Sequence, residues 1–148
     1  MPNQGPINFM KMILQDNRRY ILRFDKGEEV FAGLAEFAAK NQIQAAVFWG
    51  IGTVSEAELG FYNSFLKQYR SKPMLENFEI ISLIGNISML DGKPSLHAHG
   101  SFGRTDFSVI GGHVFKLVTL ATCEIFLIKL DGTLERKNNP ELNLNLMA

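Results

Sequence analysis

The sequence predicts an α+β domain built on a mostly antiparallel sheet, and three observations carry that reading. One stretch, from Val30 to Ala38, repeats its apolar residues at helical spacing. Against it stand about seven to nine short apolar runs of β-prone residues, separated by turn signals such as Asp91-Gly92 and Asp131-Gly132. The length of 148 residues, with 46% hydrophobic and 20% charged, is that of one soluble globular domain.

Residues 1–8 are polar and carry Pro and Gly, and they read as a loose leader before a domain over 9–137 and a tail over 138–148. Residues 9–14 and 20–24 are expected to form two strands joined by the turn Gln15-Asp16-Asn17-Arg18-Arg19. Arg18 and Arg19 could grip a phosphate, but a solvated turn is the expected role. Asp25-Lys26-Gly27-Glu28-Glu29 opens the helix, with Asp25 or a neighbour capping it and two glutamates in the first turn, where the helix dipole favours negative charge. Val30, Phe31, Leu34, Phe37 and Ala38 form its buried stripe, and Lys40-Asn41 ends it.

Residues 45–54 read as a central strand, with Phe48 and Trp49 in the core. Gly50-Ile51-Gly52 is not a dinucleotide fingerprint, because strand-like sequence follows where a helix would be needed; it reads as a bulge. Residues 65–69 suggest a short strand and Ser71-Lys72-Pro73 a loop. Residues 78–90 form a long strand closed by Asp91-Gly92-Lys93-Pro94, and residues 118–130 form another, which carries Cys123 and Glu124. A last short strand is expected over 133–136, with an irregular tail packed on the surface after it. Cys123 could be a nucleophile or a metal ligand, yet a free cysteine in an apolar strand is expected to be core.

Fifteen basic and fifteen acidic residues give zero formal net charge, so the totals lack the excess of positive charge that a nucleic-acid binder shows. A local patch of Arg18, Arg19, Lys67, Arg70 and Lys72 would be needed instead. A single cysteine excludes an internal disulfide framework, and no apolar run reaches the length of a membrane-spanning helix. With no signal-peptide pattern either, the chain reads as cytoplasmic.

All three histidines fall in one short region. His97 and His99 are two apart, which on a strand points both to one face. Gly103-Arg104-Thr105-Asp106 reads as the turn of a hairpin folded near Thr105, and this register places His113 opposite His97, where paired Cβ atoms lie roughly 4.5–5.5 Å apart. A one-residue slip would break the arrangement. Three converging imidazoles suit zinc or another borderline divalent metal, with a fourth position left for water. Gly111 and Gly112 allow close backbone approach or a bulge that aims His113.

Trp49-Gly50-Ile51-Gly52-Thr53-Val54, Ala57-Glu58-Leu59-Gly60, Phe78 to Gly85, Leu96-His97-Ala98-His99 and Val109-Ile110-Gly111-Gly112-His113, in that order, resemble the PPC domain. This is the plants-and-prokaryotes-conserved, PD1-like DNA-binding domain, and the likeness runs from about Tyr20 to Arg136. It implies a seven-stranded, mainly antiparallel sheet with packed helices, a homotrimer, and a metal, commonly zinc, on His97, His99 and His113. Plant members carry an AT-hook that enters the DNA minor groove, and no such element occurs in this sequence.

Three roles follow. The first is a DNA-associated or regulatory protein. The second is a metal-dependent hydrolase, in which metal-bound water would need a base such as Glu58, Asp106 or Glu124. The third is a small-ligand receptor that uses the open metal position. An acid facing the three histidines would separate the second from the third.

Overall fold

The computed structural model describes residues 10–148, so the leader over 1–8 lies outside the described residues. The order of elements is β1 (Lys11–Asp16), β2 (Arg19–Asp25), α1 (Val30–Lys40), β3 (Ala46–Asn63), β4 (Gln68–Met74), β5 (Phe78–Leu90), β6 (Lys93–Gly103), β7 (Val109–Lys129), β8 (Arg136–Asn139) and β9 (Leu144–Met147). Seven strands form one antiparallel sheet in the order β1-β2-β7-β6-β5-β3-β4, and β8 pairs with β9 separately. β7 also pairs with β3 over most of its length, so β3, β5, β6 and β7 close a ring. The packed helices implied by the resemblance reduce to one among the described residues.

That helix forms where its stripe requires it. Val30, Phe31, Leu34, Phe37 and Ala38 are all buried, and they meet Phe24, Phe48, Phe102, Leu117 and Ile125 from the sheet in a single core. Glu29 is the cap: its carboxylate accepts from the N–H groups of Phe31 and Ala32 at 3.0 and 2.7 Å and also from Leu117 N–H on β7 at 3.2 Å. One side chain therefore fastens the helix start to the longest strand. Both glutamates precede the first turn instead of lying in it, which still places their charge at the positive end of the helix dipole.

Several strand boundaries differ from the expected ones. Residues 71–73 belong to β4, where Pro73 is tolerated because β4 is an edge strand bonded on one side only to β3. The second arm of the histidine hairpin and the strand expected over 118–130 form the single strand β7, and the bulge expected near Gly50-Ile51-Gly52 appears as a register shift between Trp49 and Gly52. The strand expected over 133–136 starts at Arg136, and the tail is not irregular but folds into the β8–β9 hairpin. Tyr62 Oη donates to Leu142 O at 2.6 Å, Asn143 donates to Lys67 O at 3.1 Å, and Met89 N–H donates to Leu134 O at 2.7 Å. These bonds hold the hairpin against the outer face of the sheet.

Phe48 is core, but Trp49 points outward, 43% exposed, and stacks on Phe126 with ring centroids 5.8 Å apart. Strand alternation explains the pair: neighbours on β3 face opposite sides, and only one of the two sides is covered by the helix. Cross-strand pairing extends the outward face into a row, Ile84–Trp49–Phe126–Ile21–Leu14, across five strands. Leu14 and Ile84 are 55% and 64% exposed.

Candidate metal centre

β6 supplies His97 and His99 on its outward face, with Ala98 between them buried in the core. β7 supplies His113, which pairs with His99 and not with His97. The hairpin turn spans residues 104–108, with Phe107 at φ +66°, so the pairing is two residues from the expected one. A shift of two keeps side-chain parity, and the three rings still converge. Their ligand nitrogens all lie within 4.8 Å of one another, and the ring centroids are 5.1 to 5.5 Å apart.

Glycine makes this approach feasible. A Cβ on Gly111 would stand 2.6 Å from Gly100 O on β6, and one on Gly112 would stand 2.7 Å from Gly60 O on β3. β7 is thus gripped by backbone on both sides immediately before His113.

The donor set fits zinc. Two nitrogens bound tetrahedrally at about 2.0–2.1 Å are held about 3.3–3.4 Å apart, and His97 Nε2 and His99 Nε2 are separated by 3.3 Å. His113 Nδ1 lies 3.4 Å from the Tyr69 hydroxyl, which can accept its proton and leave Nε2 free for a metal. Tyr69 and Phe115 pack on the His113 ring at centroid distances of 4.6 and 4.4 Å. Burial, with repulsion from His97 and His99, pushes the His113 pKa down to about 4. Burial, then Arg136 and His99, also lowers that of His97. Both imidazoles are therefore neutral near pH 7, the form that ligates metal.

These shifts predict a pH effect on the metal-free protein. Between pH 6.5, the ordinary histidine value, and about 4, the unfolded chain takes up a proton at His113 that the folded chain refuses. More protons bound in the unfolded state means that stability rises with pH, so acidification through this window destabilises the fold. Urea unfolding of metal-free protein at pH 7.0, 5.5 and 4.5 should show falling midpoints, and His113→Gln should flatten the trend.

A cavity of about 350 Å³ opens beside the histidines, lined in part by Tyr69, Leu96, Phe115 and Arg136, with the β8–β9 hairpin as one wall. Sequence reasoning missed that wall and missed Arg136, which is 8% exposed. Its guanidinium donates to Ser88 Oγ at 2.8 Å, Asn145 O at 2.9 Å and Asn86 Oδ1 at 2.9 Å, and it faces His97 Nδ1 at 3.4 Å.

The Plants and Prokaryotes Conserved (PCC) domain profile matches residues 13–131. The chain belongs to this family. A candidate DNA-binding protein of Bacteroides thetaiotaomicron has the same fold at TM-score 0.91 and 29% identity, over 95% of this chain and 98% of that one. A plant- and prokaryote-conserved (PPC) protein of Pyrococcus horikoshii matches at TM-score 0.83 and 35% identity over 94% of each chain. A metal-containing protein of Archaeoglobus fulgidus matches at TM-score 0.84 and 34% identity, over 93% of this chain and 98% of that one. A search of curated proteins finds no match.

The other residues considered from sequence do not join the PCC centre. Among the described residues, no Asp, Glu or Cys falls within the histidine cluster. Asp106 accepts from the N–H and hydroxyl of Ser108 in the turn, Glu124 is exposed on β7 opposite Arg23, and Glu58 pairs in register with Lys116 and Pro73. Cys123 is fully buried, and burial raises its thiol pKa to about 12, so it is core. Arg18 and Arg19 are engaged by Asp131 and Asp16 at the β1–β2 turn, far in sheet order from Lys67, Arg70 and Lys72 on and beside β4. One chain therefore does not assemble the five cations into one patch. No helix is long and apolar enough to cross a membrane among the described residues.

Proposed function

We propose that this PCC-domain protein is a metal-centred regulatory receptor: His97, His99 and His113 hold one divalent ion, zinc first among the candidates, and the remaining position faces the cavity. The spacing of 3.3 Å between His97 Nε2 and His99 Nε2 carries this reading, because it matches the separation a tetrahedral zinc requires. Zinc bound there would act as a Lewis acid toward an oxygen ligand or a water. The chain's own residues set the site: Tyr69 fixes the His113 tautomer, Phe115 packs against the ring, and the β8–β9 hairpin shields one side. Binding is favoured over hydrolysis because Glu58, Asp106 and Glu124 all lie outside the cluster, and Asp106 is engaged by Ser108. Calorimetric titration of zinc into metal-free protein should give about one site per chain, and no binding heat would refute the reading.

Three copies of the chain are proposed to assemble through the outward apolar row of Ile84, Trp49, Phe126, Ile21 and Leu14. A row of this kind left open to water is unusual for a monomer, and a heterologous contact that closes after three copies would cover it in each. The lone buried thiol is compatible with a cytoplasmic setting.

DNA association is the second reading, supported by the likeness to the Bacteroides protein and by Lys67, Arg70 and Lys72 near one edge of the sheet. In a trimer these edge cations would be presented three times, which is how a chain of zero net charge could still meet phosphates.

A further inference from the structure

Arg136 is the one side chain of this region whose chemistry the metal reading leaves unexplained. It is a permanent cation, more than nine-tenths buried, and every partner it has is neutral: a serine hydroxyl, an asparagine oxygen, a backbone carbonyl and an imidazole. Among the described residues it takes part in no ion pair. A buried charge with no counterion is costly to keep, so a fold that retains one beside a cavity points to a ligand that neutralises it.

Metal loading sharpens the demand. This argument rests on the three-histidine reading above. A divalent ion beside Arg136 makes three positive charges, two from the metal and one from the guanidinium, with three neutral imidazoles and no carboxylate in the cluster. Binding through Nε2 also leaves the proton of His97 on Nδ1, where it faces the Arg136 guanidinium at 3.4 Å. Two donors then point at each other, and an acceptor oxygen at the edge of that gap would satisfy both. His97 would hold the metal through Nε2 while its Nδ1 faces Arg136, so a ligand lying along His97 could meet the two together.

We infer that the cavity binds a small organic carboxylate, with one carboxylate oxygen directed to the metal and the other received by Arg136 and His97 Nδ1. The walls select an organic acid over an inorganic oxyanion. Leu96, Phe115, Leu144 and Leu146 present apolar surface to the body of the ligand, and about 350 Å³ lies in the size range of small-molecule sites. Arg136 is an anchoring residue here; the metal remains with the histidines.

Cobalt-substituted protein tests this through its visible spectrum, after cobalt content has been measured. The probes are 3-methylbutanoate, its neutral isostere 3-methylbutanamide, and inorganic phosphate. The wild-type protein should bind the carboxylate about tenfold or more tightly than the amide, the size expected of a charge-assisted contact. Arg136→Met should lose that preference while keeping its cobalt and its ligand-free spectrum, and Arg136→Lys should keep part of it. The carboxylate-to-amide ratio in the wild type stands by itself if Arg136→Met does not fold. Equal binding of acid and amide, tighter binding of phosphate than of the acid, or undiminished carboxylate binding by cobalt-loaded Arg136→Met would each overturn the inference while leaving the metal site intact. A wild-type protein that takes up no cobalt would overturn the metal reading and this inference with it.

Discussion

If three copies assemble as proposed, Trp49→Glu is expected to turn that trimer into a folded monomer. The indole is 43% exposed on the single chain and lies on the side of the sheet away from the helix, so its loss opens no cavity in the core. In an assembly closed through the row Ile84–Trp49–Phe126–Ile21–Leu14, the same position is covered in every contact. A buried aromatic contributes about 150–250 Å² of contact. A carboxylate in its place must be desolvated without a partner, in each of the contacts at once. Light scattering behind a sizing column should report one third of the wild-type mass, with an unchanged far-ultraviolet circular dichroism spectrum. A variant that stays trimeric would show that the copies meet elsewhere.

His97→Ala with His99→Ala is expected to abolish the stabilisation that zinc gives the fold. A ligand that binds only the native state at a hundred times its dissociation constant contributes about 2.7 kcal/mol, which is a large part of a small domain's stability. Neither histidine side chain belongs to the core cluster, and His99 is exposed, so the metal-free double variant should unfold near the urea midpoint of the metal-free wild type. Added zinc should raise the wild-type midpoint and leave the variant's unchanged. Equal shifts in both proteins would place the metal elsewhere.

Much of this was legible in the sequence because local chemistry decided it. The stripe from Val30 to Ala38 has only one amphipathic solution, and Asp91-Gly92 can hardly be anything but a turn, with both residues at positive φ. His97 and His99 share a face by strand geometry alone. His113 was placed opposite the wrong partner because a five-residue turn with Phe107 in the left-handed region leaves no signature in Gly103-Arg104-Thr105-Asp106, yet the error of two residues preserved the face. Parity, not register, was what the triad needed.

Three features were decided by tertiary context. Pro73 argued for a loop, and only the position of β4 at the sheet edge lets it pair. Trp49 in an apolar run looked like core, because sequence does not say which side of a sheet a helix will cover. The polar stretch after Lys137 carries little periodic apolar signal; it becomes a hairpin where Tyr62 and Lys67, both distant in sequence, bond to Leu142 and Asn143 in its turn. Arg136 was invisible as a site residue for the same reason.

Three histidines from two neighbouring strands are expected to hold a metal. The most direct measurement is the metal content of the protein purified without a nickel column, compared with the His97→Ala, His99→Ala variant by elemental analysis. The expected result is about one zinc or equivalent divalent ion per chain, lost in the variant. Folded wild-type protein that carries no metal and takes up none on incubation with zinc would contradict it.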